Sequence, residues 1–377
     1  MAKPKILCIC GTRPDAIKTA PVVQELKKFE AVETVLLSTG QHKEMLASAL
    51  SSFGITPDLD LQIMSQGQSL AQVTTRALEG IDGVIQEINP DFIIAQGDTS
   101  TTFVASLAAF YRQVPFGHVE AGLRTDTVWD PFPEEFNRRA TGLITALHFA
   151  PTEWSKENLL KEKVNPETVL VTGNTGIDAL LYVAKNSGKV WFENESRRMV
   201  LLTTHRRENL GEPQKQIAQA FREVIDANQD TFGVIPMHKN PLVREVLMKE
   251  LGNHERIHLI EPPDYADFVT LMKRATLILT DSGGVQEEAP SFGIPVLVLR
   301  ETTERPEGVH AGIAKLIGTD KNRIVEEANS LLQNQMNYQK MAGVHSPYGD
   351  GQASARIRHA VLKYLGIETP GAPDWKS

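Results

Sequence analysis

The chain has 377 residues, of which 41% are hydrophobic and 23% charged, and its formal net charge is -8. This length exceeds what one hydrophobic core usually supports, so two domains are expected. The acidic balance argues against non-specific nucleic-acid binding, which needs a cationic surface. No apolar window approaches the roughly 18–20 residues of a membrane span, and residues 6–10 are too short for a signal-peptide core. We therefore expect a cytoplasmic protein with neither nucleic-acid nor membrane partners.

Short apolar runs alternate with helical patterns along the chain. The runs that predict strands are, in order, residues 5–10, 34–38, 91–95, 115–119, 199–203, 231–235, 276–280 and 295–299. Helices are predicted to end near Lys27 and to span residues 102–111 and 353–364. This alternation is typical of an α/β fold whose parallel sheets are covered on both faces. Cys8 and Cys10 lie two apart within the first run, so both should pack as small hydrophobic residues on one face rather than form a disulfide.

The predicted strands form two groups, separated by the polar stretch 183–198. We predict two Rossmann-like doubly wound domains that face a central cleft. The N-terminal domain comprises residues 1–174 together with a returning C-terminal helix at about 360–377, and the C-terminal domain comprises residues 175–359. In such folds ligands bind beyond the carboxyl ends of the strands. The residues directly after each strand are therefore the functional candidates.

The first candidate loop is residues 11–18, GTRPDAIK. Gly11 permits a sharp turn, Pro14 suits a first helical turn, and a helix N-terminus favours an anion. Arg13 and Lys18 add cationic side chains to the same region. The alternative is an ordinary helix start with solvated charges. A single glycine lacks the dinucleotide fingerprint, so a nicotinamide cofactor is not expected.

Two further loops carry features of a diphosphate site. Residues 281–288, DSGGVQEE, combine a hydroxyl and two glycines at a predicted helix start, and Glu287 or Glu288 could accept hydrogen bonds from a ribose. The alternative is that Asp281 or Ser282 merely caps the helix. Residues 204–209, THRREN, place three basic side chains after a buried strand, which indicates either an anion bound without a metal or a solvated turn.

Carboxylates follow three of the N-terminal elements. Asp98 follows a predicted strand, where it is either a functional acid or a helix cap. Glu120 ends an apolar strand, where a carboxylate requires a partner. Glu134 begins a helical pattern and would pair with Arg138 at i,i+4 in the purely structural interpretation. Several acids beside arginines suit general acid–base chemistry on a sugar.

Other common chemistries lack their motifs. His118 and Glu120 form an H-x-E pair, but the C-x-x-C of a zinc deaminase is absent, so no metal is expected and His118 is interpreted as a core histidine. The hydrolase motif G-x-S-x-G and the phosphate-binding motif G-x-x-x-x-G-K-[ST] are also absent.

Taken together and in order, these motifs closely resemble the non-hydrolysing UDP-N-acetylglucosamine 2-epimerases. The resemblance extends from about residue 5 to residue 365 and rests on residues 11–18, 97–99 (GDT), 118–124 (HVEAGLR), 133–135 (PEE), 137–138 (NR), 204–208 (THRRE), 281–290 (DSGGVQEEAP), 303–307 (TERPE) and 347–351 (PYGDG). It implies a fold of the glycosyltransferase GT-B type, a homodimer, and an active site between the two domains.

The resemblance also implies a reaction and no cofactor. Members interconvert UDP-N-acetylglucosamine and UDP-N-acetylmannosamine by removing the C2 proton while UDP leaves C1, which gives a 2-acetamidoglucal to which UDP adds back. The C2 hydrogen is weakly acidic, so departure of a good leaving group must assist the base.

Residue roles carried over from the family fall into three groups. The catalytic candidates are Asp98, Glu120, Glu134, Arg138 and His205. The UDP and sugar candidates are Arg13, Lys18, Arg206, Ser282, Gly283, Gly284 and Glu288. The candidates for a second, activating UDP-N-acetylglucosamine site are Gln41, His42, Gln68, Arg207 and His238. This chain has Gly67 where some members carry an arginine.

Three alternative functions share the predicted fold and nucleotide site: a hydrolysing epimerase, a GT-B glycosyltransferase that uses a UDP-sugar, and a catalytically silent nucleotide-sugar sensor. The sensor hypothesis predicts loss of the acid–base positions, yet Asp98, Glu120, Glu134 and His205 are all present. A transferase often carries a membrane-docking helix, and the sequence contains no such pattern.

Overall fold

The computed structural model describes residues 3–40, 43–64, 67–186, 188–303, 305–373 and 375. The chain divides into two compact units. The first comprises Met1–Tyr182 and Tyr348–Ser377, and the second comprises Val183–Pro347.

The first unit contains a parallel sheet with the strand order β3-β2-β1-β4-β5-β6-β7 among its described residues. Its strands are β1 (Lys5–Cys10), β2 (Glu33–Ser38), β3 (Leu59–Asp60), β4 (Phe92–Gln96), β5 (Phe116–Val119), β6 (Leu147–Ala150) and β7 (Val169–Val171). The helices that connect or follow them are α1 (Arg13–Lys27), α2 (Lys43–Ser51), α3 (Leu70–Ile88), α4 (Ser100–Tyr111), α5 (Glu134–Gly142), α6 (Glu153–Lys161) and α7 (Thr175–Asn186).

The second unit repeats this design with the strand order β10-β9-β8-β11-β12-β13, again parallel. Its strands are β8 (Arg198–Thr203), β9 (Thr231–Pro236), β10 (Ile257–Ile260), β11 (Ala275–Thr280), β12 (Val296–Val298) and β13 (Ala314–Leu316). Its helices are α8 (Glu212–Ala227), α9 (Pro241–Leu251), α10 (Tyr265–Arg274), α11 (Gly283–Glu288), α12 (Pro306–His310), α13 (Lys321–Gln333) and α14 (Gln335–Ala342). A last helix, α15 (Ala353–Tyr364), belongs to the first unit.

The central strands form because their side chains are apolar on both faces and helices cover both faces of each sheet. In β1 and β4 nearly every side chain is buried, and the apolar stripes of α3 and α4 pack against them. Cys8 and Cys10 are free thiols within this core, as the sequence predicts. The second core is built in the same way around β8 and β11. The predicted α/β class with two doubly wound sheets is confirmed.

The C-terminal helix returns to the first unit, as expected, and packs against α1. The buried carboxylate of Asp178 in α7 accepts hydrogen bonds from the backbone N–H groups of Ala353 and Ser354, at 3.2 and 2.8 Å. The first unit therefore keeps the start of α7 and the whole of α15. The sequence-based boundary at 174 lies directly before α7, whereas the units divide within that helix, after Tyr182. The boundary at 359 falls inside α15. The contacts that join the two helices link residues about 175 positions apart and leave no local signal in the sequence.

Several short strands were not predicted from the sequence, namely β3, β6, β7, β10 and β13. They span two to four residues, and histidines interrupt two of them, His148 in β6 and His258 in β10. Such runs are too short for a hydrophobic period to be recognised. Across the described ranges, none of the helices is both long and apolar enough to cross a bilayer.

Candidate functional site

The candidate loops lie where each sheet reverses its direction of strand addition. In the first unit this point lies between β1 and β4, and in the second between β8 and β11. Helices that leave neighbouring strands there diverge to opposite faces of the sheet, which opens a crevice at the carboxyl ends. Residues 11–18 and 96–102 surround the first crevice, and residues 204–209 and 281–288 surround the second.

Gly11 brings the first loop into close contact with its neighbours. A Cβ at this position would lie 2.1 Å from the Thr101 hydroxyl oxygen, so only glycine fits. Thr12 and Asp15 then form a capping box that starts α1. Asp15 also accepts a 3.0 Å hydrogen bond from the Thr99 hydroxyl, which connects this loop to the one after β4. Burial raises the pKa of Asp15 to about 6 despite these hydrogen bonds.

Glu120 follows β5 and has both carboxylate oxygens engaged. Lys18 Nζ lies 2.5 Å from Oε1, and Gln96 Nε2 donates to Oε2. The Glu120 side chain is 10% exposed and its φ of 67° is in the left-handed region. A non-glycine residue there costs about 1–2 kcal/mol, a strain found most often at functional sites. The structure therefore supplies the partner that an acid at the end of an apolar strand requires.

Asp98 is held by Arg138 rather than serving as a helix cap. Thr99 is the N-cap of α4, and the Asp98 carboxylate instead accepts a hydrogen bond from Arg138 Nη2. The backbone carbonyl of Asp98 accepts a 2.9 Å hydrogen bond from Asn137 Nδ2. Arg138 is oriented by Glu135, which is fully buried and accepts from its Nη1 at 2.8 Å. Asp98, Arg138 and Glu135 are thus connected in series by two ion pairs, and we call them the ion-pair row.

Glu134 does not make the i,i+4 pair that a structural interpretation predicts. Arg138 pairs with Glu135 and Asp98, and among the described residues Glu134 has neither a hydrogen bond nor an ion pair through its half-buried side chain. Arg13, the first residue of α1, is also half-buried and without such a partner in the described parts of the chain. Both side chains are therefore available to a ligand.

In the second unit the loop after β8 is organised around Asp281. This carboxylate is fully buried at the end of β11 and accepts hydrogen bonds from the backbone N–H groups of His205 and Arg206, at 2.9 and 3.0 Å. The Nδ1 atom of His205 lies 3.2 Å from its Oδ1. Arg206 Nε donates to the backbone carbonyl of Asp281 at 3.3 Å. The two sequence-predicted basic residues are thereby brought together at this sheet edge.

The glycine-containing loop after β11 has the form expected of a phosphate site. Ser282 occupies the N-cap of α11, but its side chain makes no capping hydrogen bond. A Cβ on Gly283 would lie 3.1 Å from the guanidinium carbon of Arg305, whereas Gly284 faces open space. Backbone N–H groups at such a turn can approach an anion closely.

The two glutamates of α11 have different environments. Glu287 is buried and its Oε1 accepts a 2.8 Å hydrogen bond from Arg305 Nε. Glu288 is half-buried, and the Tyr265 hydroxyl donates to its Oε1 at 3.3 Å. Of the two glutamates predicted to accept hydrogen bonds from a ribose, Glu288 is the more accessible.

His118 is buried in β5, with its Nε2 2.7 Å from the carbonyl oxygen of Gly97. Burial lowers its pKa to about 3, so it is neutral. This environment is that of a core histidine, as the sequence analysis expects. Within the described ranges no group of three or more His, Cys, Asp or Glu side chains could hold a metal ion.

Of the five residues assigned to an activator site, three lie among the described residues. Gln41 and His42 lie outside the described residues. Gln68 donates from Nε2 to the carbonyl of Ile63 at 3.1 Å. In the second unit Arg207 is exposed, and the exposed ring of His238 stacks on His205 with centroids 5.5 Å apart.

Sequence reasoning missed four residues that organise the predicted ones: Asp15, Gln96, Glu135 and Asp281. All four are polar residues in or beside a motif, and each is buried in the structure. Their signal in the sequence is an acidic or amide side chain next to an apolar strand or a buried helical face. Such a residue requires a partner, but the sequence does not identify that partner.

Comparison with known proteins agrees with this architecture. A family model described as UDP-N-acetylglucosamine 2-epimerase matches residues 24–362. The chain is 50% identical over 368 residues to the UDP-N-acetylglucosamine 2-epimerase of Bacillus subtilis strain 168, covering 97% of each protein. It is likewise 50% identical over 371 residues to that of Salmonella typhimurium strain LT2, covering 96% of this chain and 99% of the relative.

A solved structure shows the same fold. The UDP-GlcNAc 2-epimerase of Neisseria meningitidis, crystallised with bound UDP-GlcNAc, superposes with a TM-score of 0.86 at 46% identity, over 95% of this chain and 100% of that one. On this evidence the chain belongs to the UDP-N-acetylglucosamine 2-epimerase family.

Proposed function

We propose that this protein interconverts UDP-N-acetylglucosamine and UDP-N-acetylmannosamine by inverting C2, without net hydrolysis. The observation that carries the proposal is the pair of carboxylates at the ends of neighbouring strands, Asp98 beside Arg138 and Glu120 beside Lys18. Family membership supports a UDP-sugar substrate, since the Neisseria meningitidis relative binds UDP-GlcNAc.

The proposed reaction is an elimination followed by re-addition. A carboxylate takes the C2 proton, the C–H electron pair forms a C1–C2 double bond, and the C1–O bond breaks with its electron pair leaving on UDP. UDP oxygen then adds back to C1 of the 2-acetamidoglucal, and an acid returns a proton to the opposite face of C2. Two acid–base groups are needed because the proton leaves one face of C2 and returns to the opposite face, and each group serves as base in one direction and as acid in the other.

The first unit supplies these groups. Asp98 and Glu120 handle the C2 proton, and each lies next to a cationic side chain, Arg138 beside Asp98 and Lys18 beside Glu120. Glu134, which has no partner among the described residues, acts on the sugar together with Arg138. Arg13 and Lys18 contribute positive charge near the departing diphosphate.

The second unit binds the nucleotide. Gly283 and Gly284 hold the diphosphate through backbone N–H groups, and Gly284 has the open space that a phosphate requires. Ser282 contributes its hydroxyl, because its own backbone N–H donates to the Thr280 hydroxyl at 2.9 Å. Arg206 and His205 supply positive or hydrogen-bonding groups to the same anion. Glu288, steadied by Tyr265, accepts hydrogen bonds from the ribose.

Incubation with UDP-N-acetylglucosamine in deuterated water, followed by NMR, tests the reaction. Epimerisation predicts UDP-N-acetylmannosamine with deuterium at C2. Release of free N-acetylmannosamine would instead identify a hydrolysing epimerase. No reaction would favour a glycosyltransferase or a sensor, and either result would refute the proposal.

Asp98→Asn tests the assigned acid. The amide keeps the shape of the side chain but cannot accept the proton, so kcat should fall by about 10²–10⁴ while KM changes little. Asp91→Asn is the matched control, because Asp91 lies at the opposite end of β4, where it accepts a hydrogen bond from the Lys5 backbone. A lost affinity for substrate with unchanged turnover of the bound fraction would show that the role of Asp98 is misassigned.

We further propose that the protein forms a homodimer through an apolar face of the first unit. Phe103 and Phe110 on α4 are seven residues apart, and so are Phe136 on α5 and Leu143, the C-cap of that helix. The rings of Phe103 and Phe136 contact edge to face at 5.6 Å. Phe110, Phe136 and Leu143 are 59%, 50% and 87% exposed. Exposed large apolar side chains grouped on two helices that pack together are unusual on a monomer. A second copy is the occupant that the family resemblance implies.

Leu143→Glu should convert the dimer to a monomer, measured by light scattering during size-exclusion chromatography. Leu242→Glu is the control, because Leu242 is 59% exposed on α9 of the second unit. A wild-type protein that is monomeric at micromolar concentration, or a dimer that tolerates Leu143→Glu, would contradict this proposal.

We also propose a second UDP-N-acetylglucosamine site that activates the enzyme and uses Gln41, His42, Gln68, Arg207 and His238. Arg207 is exposed and lies two residues after His205, whose ring stacks on that of His238, and this supports the proposal. With UDP-N-acetylmannosamine as substrate, a small addition of UDP-N-acetylglucosamine should raise the initial rate, and Arg207→Ala should weaken that response. An unchanged initial rate in the wild type would refute activation.

A further inference from the structure

Asp281 has more hydrogen-bond donors than a helix cap needs. Besides the backbone N–H groups of His205 and Arg206, its Oδ2 accepts from the Thr204 hydroxyl and from Asn209 Nδ2, both at 3.0 Å. Burial raises the pKa of Asp281, but the hydrogen bonds from the His205 side chain and from the backbone of Arg206 and His205 more than offset this and leave the pKa below its ordinary value. The carboxylate is therefore ionised inside the fold.

The imidazole of His205 contacts this carboxylate through its Nδ1 atom. Nδ1 lies 3.2 Å from Oδ1 of Asp281, while the ring is 38% exposed and stacks against His238. An ionised carboxylate can only accept, so it favours a proton on Nδ1. In the neutral ring Nε2 is then the free acceptor, on the side of the imidazole away from Asp281.

We propose that Asp281 is a positioning residue that holds His205 in the tautomer protonated at Nδ1 and directs Nε2 towards the substrate. The proposal rests on the proposed function in so far as His205 is given a role in turnover. The same carboxylate accepts hydrogen bonds from the backbone N–H groups of His205 and Arg206, so it fixes the position of the loop as well as the orientation of the ring.

This arrangement explains why an acid follows β11 directly. Strands β8 and β11 are neighbours, so the first residue after β11 lies beside the first residues after β8. The hydroxyls of Thr203 and Thr280, 2.6 Å apart, join the two strand ends just before this point. A side chain placed there contacts the His205 loop while the following residues, Ser282 and Gly283, begin the candidate phosphate site.

Asp281→Asn tests the proposal because an amide can donate to Nδ1 and so favour the opposite tautomer. With ¹⁵N-labelled histidine, the ring-nitrogen shifts of His205, assigned with His205→Gln, should show the proton on Nδ1 in the wild type and on Nε2 in Asp281→Asn. In the epimerase assay, kcat should fall by between roughly 10² and 10⁴, with a much smaller change in KM.

Thr204→Val is the matched control, because it removes one donor to the same carboxylate without touching the imidazole. It should leave the tautomer unchanged and reduce kcat less than about tenfold, as loss of one neutral hydrogen bond implies. Equal losses in Thr204→Val and Asp281→Asn would show that Asp281 only supports the loop, and so would a kcat that is unchanged in Asp281→Asn.

The NMR measurement needs no substrate, so it separates this inference from the proposed function. A wild-type protein with the proton on Nε2 alone refutes the positioning role, even if Asp281→Asn fails to fold. A wild-type protein with the proton on Nδ1 but no epimerase activity retains the contact and refutes only the proposed reaction.

Discussion

Glu135→Gln is a direct test of the ion-pair row that supports Asp98. The Glu135 side chain is fully buried in the first turn of α5, where Oε2 accepts from Arg138 Nη1 at 2.8 Å and Oε1 accepts from Arg139 Nε at 2.6 Å. Glutamine has the same shape but keeps only one acceptor oxygen. Its amide nitrogen would face a guanidinium N–H, so one arginine loses its hydrogen bond and meets another donor.

The magnitude follows from the partners that remain. Breaking a buried ion pair costs about 3–5 kcal/mol when a charge is left unpaired. Here Arg138 keeps Asp98, and Arg139 keeps Glu162 at 3.2 Å. The expected loss is therefore closer to that of one charge-assisted hydrogen bond, about 2–3 kcal/mol. For a unit of this size, that corresponds to a fall in Tm of roughly 5–10 °C.

Scanning calorimetry measures this change, with Asp82→Asn as the control. Asp82 pairs with Arg112 through side chains that are 33% and 36% exposed, so its loss should cost at most about 1 kcal/mol. Kinetics should show a lower kcat in Glu135→Gln, because Arg138 is less firmly held beside Asp98. A Tm for Glu135→Gln equal to that of Asp82→Asn would refute the claim that the buried row stabilises the unit.

Three other predictions concern the backbone at two glycines, the titration of a buried carboxyl group and the reactivity of a buried thiol. Gly122→Ala should destabilise the protein by about 3 kcal/mol or more, because φ is +92° and the new Cβ would lie 2.1 Å from a backbone carbonyl in α6. The control Gly83→Ala places a methyl group in open space on α3 and should stabilise the protein by about 0.5–1 kcal/mol. Equal unfolding free energies for the two variants would contradict this prediction. Burial raises the pKa of Asp178 from 3.8 to about 6, so the folded state binds this proton more tightly, and the contribution to stability is full below about pH 4 and lost as the pH rises through 6. Asp178→Asn should therefore gain about 3 kcal/mol relative to the wild type between pH 4 and pH 7 in urea unfolding, and a constant difference would refute the assignment. Burial also raises the pKa of Cys8 to about 12, so iodoacetamide at pH 8 should leave it unmodified in the folded protein and alkylate it in guanidinium, as mass spectrometry can determine.

The sequence allowed the fold to be predicted because its central strands are recognisable locally. The runs that became β1, β4, β8 and β11 are apolar on both faces, and the loops that follow them are rich in glycine and charge. The short edge strands lacked such runs and were missed. The candidate loops were found for the same reason, since each follows a strand or begins a helix. The roles of residues such as Arg138 and Glu288, which lie within or at the end of helices, came from the family resemblance.

The hydrogen-bond and ion-pair partners of those residues could not be predicted from local sequence patterns. An i,i+4 rule joins Glu134 to Arg138, yet Arg138 binds Glu135 three residues before it and Asp98 forty residues away. The capping rule makes Asp281 a candidate helix cap, yet its carboxylate holds the loop that carries His205.

The amino-acid sequence alone determined the α/β class, the strand-end loops and the residue types that can perform acid–base and phosphate chemistry. Only the tertiary structure decided which acid meets which base. The physical reason is strand order: β4 lies beside β1, and β11 beside β8, although long stretches of chain separate them. Contacts such as Gln96 with Glu120 and His205 with Asp281 exist because sheet neighbours bring their carboxyl ends together.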